Sequence, residues 1–282
     1  MTDIQPKGIL VPVGGGEDKQ QSKDVLCRII AETGKADPAI CLITLATDLP
    51  EEVAAAYKSA FDDLKITSLE VIHYDARREA DSEQNLEKVR NCDMVLFSGG
   101  KQLKLGTLLG GTKLLSLIRE RYFDEAEFVV AGTSAGAAAM SNTMIISGSS
   151  KHALIKGTLE LTNGLDLINS VCIDTHFTQR ARLGRLIQTV TCNPGILGLG
   201  VGEDTCVVIR EGMLEVCGSG LVIIVDGKEI EYTDLPSIKD GDPITVEGIK
   251  VHVLGAGKKF SISERRLYHN WGKGIEPIAT SS

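Results

Sequence analysis

Val129-Val130-Ala131-Gly132-Thr133-Ser134-Ala135-Gly136-Ala137-Ala138-Ala139-Met140 reads as a buried strand that turns sharply into a row of alanines. The apolar run over residues 128–131 suits a strand, and alanine has the highest helix propensity, so a helix is expected from Ala135 onward. Ser134 then occupies the strand-to-helix turn, with glycine two residues before it and two after. This is the layout of a nucleophile elbow, in which a strained backbone exposes the serine oxygen and glycines remove side chains that would collide. The helix behind it aims unpaired N–H groups at any charge that develops nearby. The plainer alternative is a small-residue turn where a helix lies close on a sheet.

Upstream, strands and helices alternate. Residues 8–13 form an apolar run that ends in Gly14-Gly15-Gly16-Glu17-Asp18, and residues 19–33 carry Val25, Leu26, Ile29 and Ile30 at helical spacing. The glycine cluster invites a phosphate-loop reading, but no G-K-[ST] follows and two carboxylates stand where a phosphate would be repelled. Glu17 and Asp18 read instead as first-turn helix acids. Residues 39–46, 68–74 and 93–98 read as strands, and 50–64 and 82–91 as helices, the first of them started by proline. Such alternation predicts an α/β fold with a mostly parallel sheet flanked by helices, and ligands at the strands' carboxyl ends. If the strand before Ser98-Gly99-Gly100-Lys101-Gln102 neighbours the one before Ser134, the Gly100 and Ala135 amides can face one oxygen.

Downstream the chain passes through residues 144–148, a polar loop over 149–157 and a turn at Asn163-Gly164. Val171-Cys172-Ile173-Asp174-Thr175-His176-Phe177 is an apolar strand ending in polar groups. Arg180, Arg182 and Arg185 follow on a helix with Leu183, Leu186, Ile187 and Val190 on its apolar side. Residues 196–201 read as the last core strand, closing in Gly202-Glu203-Asp204-Thr205. After Cys206, turn signals at Glu211-Gly212, Asp226-Gly227 and Asp240-Gly241 predict β-hairpins laid against the core. The chain is thus read as one domain over 1–282: an α/β core to 205, an antiparallel hairpin extension over 206–260, and a surface segment and tail over 261–282.

Composition narrows the function. A net charge of −8 argues against nucleic acid or an anionic membrane as partner. No apolar run approaches membrane-spanning length, and the first seven residues lack a signal-peptide layout, so a cytoplasmic protein is expected. The seven cysteines contain no C-x-x-C pair and are odd in number; they read as buried free thiols in a reducing compartment, with no zinc site and no disulfide framework. Nothing in the chain has metal-ligand spacing, so neither a metal nor a cofactor is expected.

A serine hydroxyl needs a base and a group that orients the base. Of the five histidines, only His176 ends an apolar strand among acids and arginines. Glu203 is the best placed acid, with Asp174 and Asp204 as rivals. The order Ser, His, acid differs from that of the α/β-hydrolases, so the elbow alone does not imply their fold. The three arginines read either as a solvated face or as a grip on a substrate carboxylate.

Gly-Gly-Lys-Gln at 99–102, Gly-Thr-Ser-Ala-Gly-Ala at 132–137, Asp-Thr-His-Phe-Thr-Gln-Arg-Ala-Arg-Leu-Gly-Arg-Leu at 174–186 and Gly-Val-Gly-Glu-Asp-Thr at 200–205 together resemble the cyanophycinase family of serine peptidases, which also holds aspartyl dipeptidases. The resemblance implies a class I glutamine amidotransferase-like fold and a homodimer. It implies Ser134 as nucleophile, His176 as base, Glu203 as acid, and Gly100 and Ala135 as the oxyanion hole. Gln102, Asp174, Thr175, Arg180, Arg182 and Arg185 then line or support a pocket for a β-aspartyl peptide bearing arginine. Alternatives are a dipeptidase without activity on the polymer and a non-catalytic binding protein. Thr175 and Lys101 depart from the family's common glutamine and its neutral or acidic residue, and are expected to loosen the demand for arginine.

Overall fold

Continuous apolar runs make β1 (Ile9–Val13), β2 (Ile40–Ile43), β4 (Met94–Phe97) and β5 (Val129–Thr133), each buried along its whole length, with β3 (Leu69–Ile72) at the margin. Burial on both faces is what a parallel sheet sandwiched by helices demands. In the computed structural model, which describes residues 5–148, 150 and 152–268, these strands lie parallel in the order β1-β5-β4-β2-β3. Val13 pairs with Thr133, and Phe97 with Gly132, so the carboxyl ends of β1, β5 and β4 stand side by side.

Alternate residues serve opposite cores. Ile9, Val11, Val129, Ala131, Met94 and Leu96 pack with α1 (Asp24–Ala31) and α2 (Pro50–Asp63). Leu10, Val130, Val95 and Phe97 face α3 (Glu83–Asn91), α4 (Gln102–Leu109) and α5 (Lys113–Asp124). The last two helices were not expected from sequence. Proline opens α2, and the hydroxyls of Ser82 and Thr112 cap α3 and α5.

Helix α1 is shorter than the predicted 19–33. The Asp18 carboxylate accepts the N–H groups of Gln20, Gln21 and Lys23 at 2.9, 2.9 and 3.0 Å, so a side-chain-capped turn occupies the stretch where helix was expected. Helix α6 (Ala135–Ala138) is a single turn despite its alanines. The carbonyls of Ala139 and Met140 are taken by Leu165 N at 2.6 Å and Leu167 N at 2.9 Å, and tertiary bonds replace helix continuation.

The later strands correct the expectation of one sheet with hairpins laid upon it. β6 (Thr143–Gly148) and β7 (Leu159–Asn163) form an antiparallel ribbon, and neither strand had been foreseen. β8 (Val171–Asp174) and β9 (Leu197–Val201) are parallel but belong to a second sheet. α7 (Leu183–Cys192) connects them. β10 (Thr205–Arg210) enters the main sheet antiparallel to β1, with Val13 opposite Cys206. A Glu211-Gly212 turn, both residues at positive φ, returns it as β11 (Met213–Gly218). β12 (Val222–Asp226) and, beyond the ribbon of β13 (Tyr232–Thr233) and β14 (Val246–Glu247), β15 (Lys250–Leu254) extend the second sheet. β16 (Lys259–Ser261) and β17 (Arg266–Tyr268) finish the first. The segment read as a loose tail from 261 therefore begins as sheet; 269–282, like residues 149 and 151 of the polar loop, lie outside the described residues.

All seven cysteines are free, but Cys27 and Cys192 are exposed rather than buried. Among the described residues, no helix is long and apolar enough to cross a membrane.

Close backbone approach sets the glycines around the turn. A Cβ at Gly136 would lie 2.4 Å from the Phe97 carbonyl oxygen, which is main chain and cannot move aside cheaply. Gly136→Ala is expected to cost about 1–3 kcal/mol through overpacking, read as a lower midpoint in chemical denaturation; an unchanged midpoint would contradict this contact.

Candidate active site

β5 delivers Ser134 at φ 53, ψ −113, a conformation that L residues rarely adopt. Its N–H donates to the Val13 carbonyl at 3.0 Å, tying the turn to β1. From the second sheet, β8 ends at Asp174, and two residues later His176 also takes a positive φ of 48. The His176 N–H donates to the Gly14 carbonyl at 2.8 Å. Glu203 follows β9, its N–H donating to Gln179 Oε1 at 3.2 Å.

These three side chains form an unbroken line. Ser134 Oγ lies 2.8 Å from His176 Nε2, and His176 Nδ1 lies 2.6 Å from Glu203 Oε1. A carboxylate can only accept, so the neutral imidazole carries its proton on Nδ1 and leaves Nε2 to accept the serine hydroxyl. The rival acids are occupied elsewhere. Asp204 accepts the Asp18 N–H at 3.1 Å and the Ser219 hydroxyl at 2.6 Å. Asp174 is claimed by arginines.

That buried pairing revises the reading of the three arginines as one helical row. Arg185, in the first turn of α7, grips Asp174 with two donors, Nε at 2.6 Å from Oδ2 and Nη2 on Oδ1. Arg182, at the N-cap of α7, donates to Asp174 Oδ1 at 3.2 Å and to the Thr175 carbonyl at 2.7 Å. Burial pulls Arg182 down to about 10 against the opposing pull of Asp174, with Arg185 and Arg180 adding to the drop. Arg180 precedes the helix and is exposed. Thr175 is buried, its N–H donating to Asp174 Oδ1 at 2.8 Å. Gln102 opens α4 and donates to the carbonyls of Ile145 and Ile146 at 3.0 and 3.2 Å, at the irregularity in β6.

The Gly99-Gly100 loop does neighbour Ser134, since β4 pairs with β5. A Cβ at Gly99 would sit 3.4 Å from Ser134 Cβ, and one at Gly100, whose φ is 141, would fall 2.1 Å from the Ala46 carbonyl oxygen. Among the described residues no acceptor is found for the N–H of Gly100 or of Ala135, which opens α6. Lys101 Nζ is 2.6 Å from Asp48 Oδ2, so its charge meets an opposite one at the surface.

Sequence reasoning missed the glycine loop's part. A Cβ at Gly15 would lie 2.4 Å from His176 Cε1, and one at Gly16 would lie 3.2 Å from the Glu203 carboxyl carbon. The loop backs the His176–Glu203 pair. Glu17 is not a first-turn helix acid: it is buried, and Thr133, Tyr57 and Lys19 all donate to it. Only the density of glycine before a carboxylate hinted at this. Among the described residues no three His, Cys, Asp or Glu side chains converge as metal ligands would.

Residues 9–217 match the model of Peptidase family S51. The chain is 32% identical over 264 residues to the cyanophycinase of Synechococcus elongatus, spanning 93% of this chain and 82% of that protein. It is 34% identical over 262 residues to the cyanophycinase of Trichormus variabilis, spanning 93% and 88%. The crystal structure of a peptidase from an acI-B1 actinobacterium shares the fold, with a TM-score of 0.64 at 21% identity over 92% of this chain and 98% of that one. The chain belongs to Peptidase family S51 and is a serine-type peptidase.

Removing one partner of a buried ion pair leaves an uncompensated charge. Asp174→Ala is expected to destabilise the protein by about 3–5 kcal/mol, measured by denaturant unfolding; a loss below a few tenths would show that Arg185 finds another partner.

Proposed function

We propose that Ser134 is the nucleophile, His176 its general base and Glu203 the group that orients His176, acting on β-aspartyl peptide bonds such as those of cyanophycin. The observation that carries the mechanism is the Ser134–His176–Glu203 line, with separations of 2.8 and 2.6 Å. Ser134 Oγ attacks the carbonyl carbon while its proton passes to Nε2. The oxygen that becomes negative is received by the N–H groups of Gly100 and Ala135. Collapse breaks the C–N bond, His176 returns the proton to the departing nitrogen, and water, activated by the same base, releases the acyl group.

The substrate reading draws on relatives named cyanophycinases and on the residues around Ser134. Arg180 is exposed and suited to a free aspartyl α-carboxylate. Arg182 and Arg185 are largely engaged by Asp174 and support that pocket from behind. Gln102 keeps its amide oxygen available for a substrate donor, and Thr175 has a shorter reach than a glutamine. With the Lys101 charge offset by Asp48, a weaker demand for arginine rests on Thr175. The order β1-β5-β4-β2-β3, with the serine turn after β5, supports a fold like that of the class I glutamine amidotransferases, working as one domain over 1–282. Family resemblance further supports a homodimer, and the sequence pattern supports a cytoplasmic protein that uses no cofactor.

Ser134→Ala is expected to leave the fold intact and lower kcat by at least about 10³-fold. Glu203→Gln should be severely slowed and Asp204→Asn mildly; the reverse ranking would move the orienting role one residue along the chain. For substrate, kcat/KM is compared across β-Asp-Arg, β-Asp-Lys, β-Asp-Leu and α-Asp-Arg. The β-linked arginine peptide should lead the α-linked one, with only a modest advantage over β-Asp-Lys. Faster cleavage of the α-linked peptide would defeat the substrate assignment, and strict arginine selectivity would defeat the inference from Thr175.

A further inference from the structure

We propose that Glu17 is a positioning residue for Ser134: its buried carboxylate clamps the strand that carries the serine to the loop that backs His176 and Glu203. The inference rests on the reading of Ser134 as nucleophile. Thr133, the residue immediately before Ser134, donates its hydroxyl to Glu17 Oε2 at 2.6 Å. Tyr57 OH, from α2, and Lys19 Nζ donate to Oε1 at 2.5 and 2.6 Å. Lys19 Nζ also lies 4.6 Å from the Tyr57 ring centroid. Three donors from β5, α2 and the loop itself are therefore held by one carboxylate whose side chain is 2% exposed.

The same loop holds the other half of the site. Gly14 accepts the His176 N–H, Gly15 lies against the imidazole, Gly16 faces Glu203, and the Gly15 carbonyl accepts the Asp204 N–H at 2.9 Å. Residues 14–16 thus carry base and acid, and residue 17 grips the neighbour of the nucleophile. Burial opposes charge on Glu17, but Lys19 and the donated hydrogen bonds outweigh it and hold the carboxyl below its ordinary value. Apolar residues of similar volume in place of the whole buried set of Glu17, Thr133 and Tyr57 would often stabilise a fold as well as the polar cluster does. What the carboxylate adds is direction, because its two oxygens fix where the donors sit.

The test uses the full chain with cyanophycin and a fluorophosphonate label, and measures kcat, KM, labelling rate and melting temperature. Glu17→Gln and Thr133→Val are each expected to lower kcat and labelling rate roughly 10–100-fold with little change in KM, the signature of a misplaced reacting group. Thr133→Ser, which restores the hydroxyl, should recover most of what Thr133→Val loses. Ile29→Val, a core change in α1 remote from Ser134, is the stability control: it should lower the melting temperature without lowering kcat. Wild-type kcat and labelling in folded Glu17→Gln and Thr133→Val would overturn the proposal, as would losses matched by Ile29→Val at equal melting temperature. Ser134→Ala separates the two levels: labelling of that variant would overturn the nucleophile assignment, whereas an inert Ser134→Ala beside a fully active Glu17→Gln would overturn only the clamp.

Discussion

The hydrogen bond from the Ser134 N–H to the Val13 carbonyl is the constraint on which the rest of the structure turns. A serine at φ 53, ψ −113 costs on the order of 1–3 kcal/mol and persists only where its surroundings over-determine it. Here β1 holds its amide and the helix behind it is seated on Phe97 through Gly136. The three central strands end level because their register is set by continuous apolar runs buried on both sides. The serine turn is thus strained locally and supported by the most buried part of the sheet.

The serine and its partners come from different sheets. Ser134 follows β5 of the main sheet, whereas His176 and Glu203 follow β8 and β9 of the second. A hydrogen-bond distance of 2.8 Å between Ser134 and His176 across that division requires something to fix one sheet end against the other. The Gly14-Gly15-Gly16 loop lies at the division, and a side chain on any of its residues would crowd Gly202, His176 or Glu203. Glycine is demanded here by the space between the sheets, not by a bound phosphate.

This also explains what could be read from sequence and what could not. The Ser134 turn, the parallel alternation before it and the placement of His176 and Glu203 after apolar strands are local patterns, visible because period and turn chemistry are local. Which sheet a strand joins is not local: residues 196–201 and 205–210 look alike as apolar runs, yet one lies in the second sheet and the other beside β1. The first acids after the glycines misled for the same reason. Glu17 is defined by Tyr57 and Thr133, 40 and 116 residues away, and no window of sequence contains that encounter.

The arginine cluster shows the same limit with a chemical consequence. Spacing suggested three equivalent guanidinium groups on one helix, but Asp174 divides them by depth. Arg185 is buried and doubly held, Arg182 is half-engaged at the helix start, and Arg180 stands in solvent before it. Because a desolvated guanidinium is tolerated only with its carboxylate, Arg185 cannot turn toward a ligand without stranding Asp174. Under the proposed substrate reading, a carboxylate would be met by Arg180 and by the donors Arg182 has left, while the buried pair ties the chain between β8 and α7, which carries His176, to the start of the helix.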